Sequence, residues 1–179
     1  MGLLLRESQE ADLSFLRAML YEAVFWRVDV DKPSFDEGLA YPDVGKSLAG
    51  WGARDGDIAV VAAMDSMQVG AGWVRFWTES NTIRGFVEEG TPVLVFGVHP
   101  DYRHRGIGTT MIDWLITYTS EHGVPRISLA VSKDNYALDL YRQQGFREVE
   151  DTGDSYLMVR ESSTQASPAV SGGHSGAGA

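Results

Sequence analysis

Cysteine is absent from this chain of 179 residues. Disulfides, zinc sites built on thiolates and cysteine nucleophiles are therefore excluded, and a reducing compartment, the cytoplasm, is the simplest expectation. Long apolar runs are also absent, so no segment reaches the roughly 18 apolar residues of a membrane-spanning helix. Basic residues are scarce: 15 Lys and Arg stand against 25 Asp and Glu, and the net charge of -10 argues against nucleic acid as a partner.

The apolar part of the opening stretch MGLLLRESQEAD is too short for a signal peptide, and Arg6 stands where a myristoylation motif has Ser or Thr. With 44% hydrophobic residues, the chain can build the core of one globular domain, which we place at residues 1–161. Residues 162–179, SSTQASPAVSGGHSGAGA, contain no Asp, Glu, Lys or Arg. Their Ser, Gly and Ala content predicts a disordered tail.

The spacing of apolar residues predicts the secondary structure of the domain. Leucines and a valine at three- and four-residue steps predict a first helix over 10–26, and an irregular second helical piece is expected to end near Gly50 or Gly52. Three strands follow, DIAVVAAMD, QVGAGWVRFW and TPVLVFGV, of which the first two form a hairpin across Ser66. A long helix, a strand, a short helix and a final hairpin complete the order ααβββαβαββ. This order predicts an α/β (α+β) fold with a mixed, mostly antiparallel sheet, in which the strands flanking the long helix are parallel.

The stretch VHPDYRHRGIGTTMI joins the third of these strands to the long helix, and it predicts an anion site. The first amides of a helix are unpaired and lie at the positive end of its dipole, where phosphates bind readily. Gly106 and Gly108 let a diphosphate approach the main chain, while Arg103 and Arg105 can add charge-assisted hydrogen bonds. Taken alone, the same residues also fit a turn whose glycines only bend the chain and whose arginines only solvate it.

Two familiar phosphate motifs do not fit this stretch. A Walker loop needs a lysine after its last glycine, but Gly108 is followed by Thr109 and Thr110. A dinucleotide fingerprint needs a third glycine early in a repeated βαβ fold, and neither condition is met here. Nucleotide binding of either kind is therefore unsupported.

Two linked motifs resemble the GNAT superfamily of acyl-CoA-dependent N-acetyltransferases. VHPDYRHRGIG is similar to the [QR]-x-x-G-x-[GA] signature of that superfamily through Arg103, Gly106 and Gly108. The second motif is NYALDLYRQQGF, whose matching positions are Asn135, Ala137, Tyr141, Gly145 and Phe146. The resemblance covers nearly the whole domain and implies a mixed sheet that splays after its fourth strand.

The resemblance also implies roles for individual residues. The diphosphate of CoA is expected on the main-chain amides of residues 103–109, and pantetheine beside the strand edge at residues 96–98. Asn135 is expected to hydrogen-bond the pantetheine arm or, alternatively, to cap a helix. Tyr141 is expected to protonate the departing thiolate or, alternatively, to be a core aromatic residue. The residues expected to bind CoA are Phe96, Gly97, Val98, Arg103, His104, Arg105, Gly106, Ile107, Gly108, Thr109 and Asn135.

The resemblance does not identify the base that deprotonates the amine. Many members of the superfamily carry a glutamate early in the fourth strand, where this chain has Pro92. A water relay is an equally acceptable route for the proton. The other candidates, each more commonly a solvated surface charge, are Glu22, Asp43, Glu88, Glu89 and His99.

Acceptor contacts in the superfamily come largely from the first two helices and from loops beside the splayed strands. An insertion, TESNTIRGFVEEG, precedes the strand TPVLVFGV, which corresponds to the fourth strand of the superfamily. Aromatic residues in the helical region fit either an amine pocket with cation–π contacts or an ordinary core, and they are Tyr21, Phe25, Trp26, Tyr41 and Trp51. The four histidines show no metal-ligand spacing, so no metal is expected.

These features together predict an acetyl-CoA-dependent N-acetyltransferase. Its acceptor is a primary amine of a small molecule or a protein, which attacks the thioester directly within a ternary complex. The alternative is an acyl-CoA sensor or regulatory module that binds CoA without transfer, because the glutamate of the fourth strand is missing. The oligomeric state stays open, a homodimer included.

Overall fold

The fold is one mixed sheet of seven strands with helices on both faces. The structure, a computed structural model, describes residues 2–162. Apart from Ser162, the tail predicted at 162–179 lies outside the described residues. The strands are β1 (Leu3–Glu7), β2 (Ile58–Met64), β3 (Met67–Arg75), β4 (Val93–Val98), β5 (Arg126–Ser132), β6 (Arg147–Asp151) and β7 (Ser155–Glu161). The helices are α1 (Leu13–Val24), α2 (Phe35–Ala40), α3 (Pro42–Gly45), α4 (Ile107–Glu121) and α5 (Leu138–Gln143). The strand order is β1-β2-β3-β4-β5-β7-β6.

The period-two pattern of β2 sends its side chains into two separate cores. Val60 and Ala62 pack on one face with α4 and α5, while Ala59 and Val61 pack on the other face with α1. All four side chains have no exposed surface. Helices α1 and α4 therefore lie on opposite faces of the sheet, and each buries its apolar stripe there.

The sequence predictions are largely confirmed, with one element added. The β2–β3 hairpin turns at Asp65 and Ser66, both at positive φ, and the strands β4 and β5 that flank the long helix are parallel. The predicted order omitted β1, which pairs antiparallel with β2 at the edge of the sheet. The first helix begins at Leu13 rather than residue 10, because a 3₁₀ turn precedes it. The irregular second piece consists of α2, α3 and a further 3₁₀ turn.

The sheet splays between β4 and β5, as expected. These strands pair at one register position, where Val93 lies opposite Ser128, and they separate toward their carboxyl ends. Helix α1 presses against β4 beyond this point. A Cβ built on Gly97 would lie 2.2 Å from the carbonyl oxygen of Met19, so only glycine allows this close approach. The edge of β4 that faces β5 is therefore open beyond Val93, and α1 covers one face of β4 there.

The insertion at residues 78–90 closes the narrow end of the split. A Cβ on Gly85 would lie 2.8 Å from Val93 and 3.0 Å from the amide nitrogen of Ala130, so the loop rests on both strands. Lys46 donates to the carbonyl of Thr82 on one side of the loop. Arg84 forms an ion pair with Asp154 at 3.6 Å on the other side. The loop thus spans the two halves of the splayed sheet. Among residues 2–162, no helix combines the length and apolarity needed to cross a membrane.

Candidate active site

The turn before α4 presents a row of unpaired main-chain donors. Gly106 takes a left-handed conformation with φ of +79° and brings the chain into the helix, and His104 is also at positive φ. Within residues 2–162, the amides of residues 104–109 donate no hydrogen bond, and the amide of Thr110 is the first to bond back, to Gly106 at 3.1 Å. A Cβ on Gly106 would meet nothing within 4 Å, so the space beside these amides is open. We call this turn the cradle, because its unpaired amides have the arrangement that the motif predicts for an anion site.

The Arg103 side chain is occupied by partners within the chain. The side chain is only 8% exposed, and its guanidinium contacts Glu22, with Nη2 2.8 Å from Oε2. It also donates to the carbonyls of Trp26 and Val98, each at 3.2 Å. The Arg103 guanidinium thus joins the turn, β4 and the end of α1, while a bond from this side chain to the anion stays a prediction.

The two neighbouring cationic candidates occupy different places. The His104 ring lies 4.9 Å from the ring of Tyr136, at the edge of the cradle. The Arg105 guanidinium lies 5.2 Å above the ring of Tyr102 and does not line the cavity described next. His104 is thus the side chain of this pair that contributes to the cradle wall.

A cavity of about 230 Å³ lies over the cradle. Its floor is the start of α4 with Phe96 and Val98 of β4, and its far wall is α5. Gly108 has to be small here, because a Cβ would lie 2.9 Å from the Phe96 ring. Further lining residues are Tyr102, Arg103, His104, Gly106, Ile107, Thr109, Tyr136, Ala137, Leu140 and Gln143.

A second cavity, of about 550 Å³, passes through the split. It contacts α1 on one face of the sheet and Tyr141 of α5 on the other. Phe96, Val98, Tyr136 and Ala137 line both cavities, so the two adjoin. A molecule whose phosphates occupy the cradle can therefore extend along β4 into the split.

Tyr141 stands where the cavities adjoin. Its ring meets Phe96 and Phe146 edge to face, at centroid distances of 5.8 and 5.7 Å, and 8% of the residue is exposed. Its hydroxyl forms no hydrogen bond with the part of the chain described. Burial raises the pKa of Tyr141 well above its usual value, and the charge of Tyr136 acts in the same direction. The phenol is therefore a protonated donor on the wall of the split.

Asn135 lies in the turn that leads into α5, whose N-cap position is Ala137. Its Oδ1 accepts the amide of Ala137 at 2.8 Å and stabilises this turn, which is close to the capping role that the sequence offers as the alternative. Asn135 also lines the larger cavity. Its side-chain nitrogen donates no hydrogen bond within residues 2–162, so the same residue can serve both roles.

The comparison with protein families completes these observations. The model of the acetyltransferase (GNAT) family matches residues 22–146. The chain belongs to the GNAT family. This match confirms the superfamily and the enzyme class, an acetyltransferase, that the two motifs predict.

Solved structures of the same architecture agree with the GNAT fold. PaiA N-acetyltransferase of Thermoplasma acidophilum, in complex with coenzyme A, is 17% identical and has a TM-score of 0.64 over 90% of this chain and 99% of that chain. YncA of Salmonella typhimurium, with its cofactor acetyl-CoA, is 18% identical and has a TM-score of 0.63 over 95% of this chain and 99% of that chain.

A sequence relative, an uncharacterised N-acetyltransferase of Methanocaldococcus jannaschii, is 41% identical over 54 residues, which are 30% of this chain and 24% of that relative. The aligned stretch thus spans about a quarter of that protein's length.

Most candidate bases of this GNAT protein lie away from the larger cavity. Pro92 is buried at the start of β4, and its carbonyl accepts the amide of Ser128. Glu88 pairs with Arg126, and Glu89 accepts the amide of Glu79. His99 accepts the amide of Asp101 at 3.3 Å. The remaining candidates, Glu22 and Asp43, both line the larger cavity.

Only one of the five aromatic candidates lines either cavity of the GNAT site, and it is Trp26. Tyr21, Phe25 and Tyr41 pack against one another beside α1 and α2. Trp51 packs edge to face on the buried Trp73. Trp51 therefore fits the core interpretation, whereas Tyr21, Phe25 and Tyr41 form a partly exposed aromatic cluster that lines neither cavity.

Three lining residues of the larger cavity have no place in the sequence predictions. Tyr136 follows Asn135 inside the second motif, yet its 43% exposure, large for an aromatic residue, is not visible from the letters. Lys46 and Arg84 come from the α3 region and the insertion. The one signal available was that Arg84 is the single basic residue of that insertion. Within residues 2–162 no three His, Asp or Glu side chains are grouped as metal ligands.

Proposed function

We propose that this GNAT protein transfers the acetyl group of acetyl-CoA to a primary amine of a small molecule or a protein. The observation that carries the proposal is the row of six unpaired amides at residues 104–109, opening on a cavity that continues into the split. The donor set fits the co-substrate: amides suit its diphosphate, and the open side of β4 suits the amide groups of its pantetheine arm. No resident cofactor or metal is part of the proposal.

The two cavities hold the reactants in one place, so much of the rate comes from positioning. The ammonium of the acceptor first loses a proton, and its nitrogen then forms a C–N bond to the thioester carbonyl carbon. The C–S bond breaks, Tyr141 donates its phenolic proton to sulfur, and the nitrogen loses a second proton. Tyr141 recovers a proton from solvent, so the balanced reaction gives an amide, a thiol and one released proton. No covalent intermediate on the protein is needed.

Two measurements test this function. Titration calorimetry should show binding of acetyl-CoA and CoA, and weaker or no binding of ATP and NAD. A thiol assay should show release of CoA that depends on one of four amines: n-butylamine, phenethylamine, spermidine or the tripeptide Ala-Ala-Ala. Absence of heat with acetyl-CoA and CoA would overturn the proposal.

The alternative is a protein that senses acyl-CoA without transferring the acyl group. It is favoured by the absence of a carboxylate at Pro92, the position where many family members carry glutamate. Binding of acetyl-CoA without thiol release, with any of the four amines, would support the sensor. Binding with amine-dependent release would exclude it.

A further inference from the structure

Two carboxylates line the larger cavity, and they differ in their surroundings. The Asp43 side chain is 92% exposed and lies 3.7 Å from the Lys46 ammonium. The Glu22 side chain is 19% exposed and projects from the last turn of α1. A charge held mostly out of water interacts more strongly with a ligand than one in solvent. Glu22 is therefore the stronger candidate for contact with a bound cation.

The structure holds Glu22 in place through one of its two oxygens. Oε2 accepts from Arg103 at 2.8 Å, while Oε1 accepts no hydrogen bond from the described residues. Arg103 is itself fixed by the carbonyls of Trp26 and Val98. One carboxylate oxygen is thus anchored, and the other is available in a cavity that also contains Tyr141.

We propose that Glu22 binds the ammonium group of the acceptor and takes its first proton. This inference rests on the proposed transfer activity and assigns its missing base. The proton passes from nitrogen to the free carboxylate oxygen of Glu22, directly or through one water, and leaves the nitrogen lone pair for the C–N bond. Glu22 then returns the proton to solvent, which accounts for the single proton that the overall reaction releases.

The position of Glu22 supplies what Pro92 cannot. The glutamate expected early in β4 is replaced by a residue without a titratable group, whereas α1 brings a carboxylate to the larger cavity, which residues 94–98 of β4 also line. Other charged or titratable groups that line this cavity are Asp43, Lys46, Arg84, Tyr136 and Tyr141. Burial raises the pKa of Tyr136, and the charges of Arg103 and Glu22 act on it in opposite directions. Tyr136 and Glu22 both line the larger cavity, and Arg103 donates to Glu22 at 2.8 Å.

Arg103 is a positioning residue in this proposal. It donates to Glu22 on the acceptor side and to the carbonyl of Val98 on the donor side. The first residue of the GNAT signature thereby sets the distance between the amine and the strand along which the thioester is expected to lie.

The test compares Glu22→Gln with wild type, because glutamine keeps an oxygen that can accept from Arg103. We expect kcat/KM for the best amine of the four to fall about 10²-fold or more, the usual effect of losing a base. Affinity for acetyl-CoA should stay within about twofold. The matched control is Glu121→Gln, at the exposed end of α4 outside both cavities, which should behave as wild type. Asp43→Asn should lose less than Glu22→Gln, and the reverse order would overturn the proposal.

A pH series separates the chemical role of Glu22 from a structural one. The deficit of Glu22→Gln should shrink as pH rises toward the pKa of the amine, since a neutral amine needs no base. A deficit that is constant with pH, or one matched by loss of acetyl-CoA affinity, would overturn the proposal. Arg103→Lys should lower kcat/KM less than Glu22→Gln does. Its pH profile should have the same shape as that of wild type, because the Glu22 carboxylate is still present.

A binding measurement distinguishes this inference from the proposed function. Phenethylamine is titrated into wild-type and Glu22→Gln protein saturated with CoA, and we expect affinity to fall about tenfold or more in the variant. Transfer that survives Glu22→Gln would refute the role of Glu22 and leave the function intact. Glu22-dependent binding without transfer by wild type would refute the function and keep the ammonium site. Absence of both binding and transfer counts against both.

Discussion

Tyr141 and Phe96 meet edge to face, with ring centroids 5.8 Å apart, where α5 touches β4. The pair joins an element of one half of the splayed sheet to an element of the other. It therefore fixes the phenol relative to the strand edge beside which the thioester is expected to lie. This geometry gives Tyr141 a defined place and makes its hydroxyl removable without loss of its ring.

We expect Tyr141→Phe to lower kcat about 10²-fold, because the thiolate loses its proton donor. Phenylalanine preserves the packing on Phe96 and Phe146, so acetyl-CoA affinity and thermal stability should change little. Thiol release and calorimetry measure the two effects. A variant with wild-type kcat would remove Tyr141 from the chemistry.

The activity should show no alkaline loss attributable to Tyr141 up to about pH 10, the usual pKa of tyrosine. Burial raises the pKa of Tyr141, so its donor form persists above that pH. A pH profile of kcat, corrected for uncatalysed thioester hydrolysis, tests this expectation. A falling limb below pH 10 that disappears in Tyr141→Phe would contradict it.

Gly106→Ala should reduce both stability and affinity for acetyl-CoA. The left-handed conformation at φ of +79° costs a residue with a Cβ about 1–2 kcal/mol, and the methyl would enter the open side of the cradle. Gly90→Ala is the matched control, since Gly90 has φ of +85° and equally open surroundings but lies outside both cavities. Denaturant unfolding should show similar losses for the two variants, and calorimetry should show weaker binding for Gly106→Ala alone.

Asp57→Asn should destabilise the protein by about 3–5 kcal/mol, as expected when a buried ion pair loses one partner. Asp57 Oδ1 lies 3.0 Å from Arg75 Nε, and the two side chains are 2% and 1% exposed. Arg75 also donates to the carbonyls of Ser47 and Gly50, so its charge stays buried in the variant. Urea unfolding measures the loss. Asp55→Asn, in the same loop but exposed, should cost far less.

Asp12→Asn should lower the unfolding free energy by about 1–3 kcal/mol at pH 7. The hydrogen bonds from Arg6 hold the pKa of Asp12 well below its usual value, helped by those from Gln9 and Gln68 and opposed by burial. A lowered folded-state pKa adds stability above the unfolded pKa of about 4 and loses it as pH falls further. The difference in unfolding free energy between wild type and variant should therefore become smaller below about pH 4. Urea titrations at several pH values would measure it. The exposed control Asp113→Asn should show no such gap.

The fold could be predicted from sequence wherever apolar periodicity and turn residues agreed. The β2–β3 hairpin and the parallel β4–β5 pair were both found in this way. Strand β1 was missed because Leu3, Leu4 and Leu5 show no alternation, and Leu4 is 63% exposed at the sheet edge. Period-two reasoning fails on such a short edge strand.

The candidate site likewise has parts that the local sequence predicts and parts that depend on residues far apart in the chain. The cradle depends on main-chain groups, and glycine spacing specifies main-chain geometry. The direction of the Arg103 side chain depends on Glu22, which is 81 residues away in the chain. The larger cavity gathers α1, α3, the insertion, β4, β5 and α5, and no local pattern records that arrangement. Asn135 shows both cases: its bond to the amide of Ala137 is a local contact of the kind that sequence suggests, whereas its place on the wall of the larger cavity depends on the whole fold.

The larger cavity passes through the split in the sheet, so each proposed substrate can enter from a different face. If CoA and the acetylated amine occupy the α4 and α1 faces, as the proposed function requires, each product has its own route of departure. Changes in the walls contributed by α1, α3 and the 78–90 insertion can then redirect the enzyme to a new amine, while the α4 side keeps the same acyl carrier.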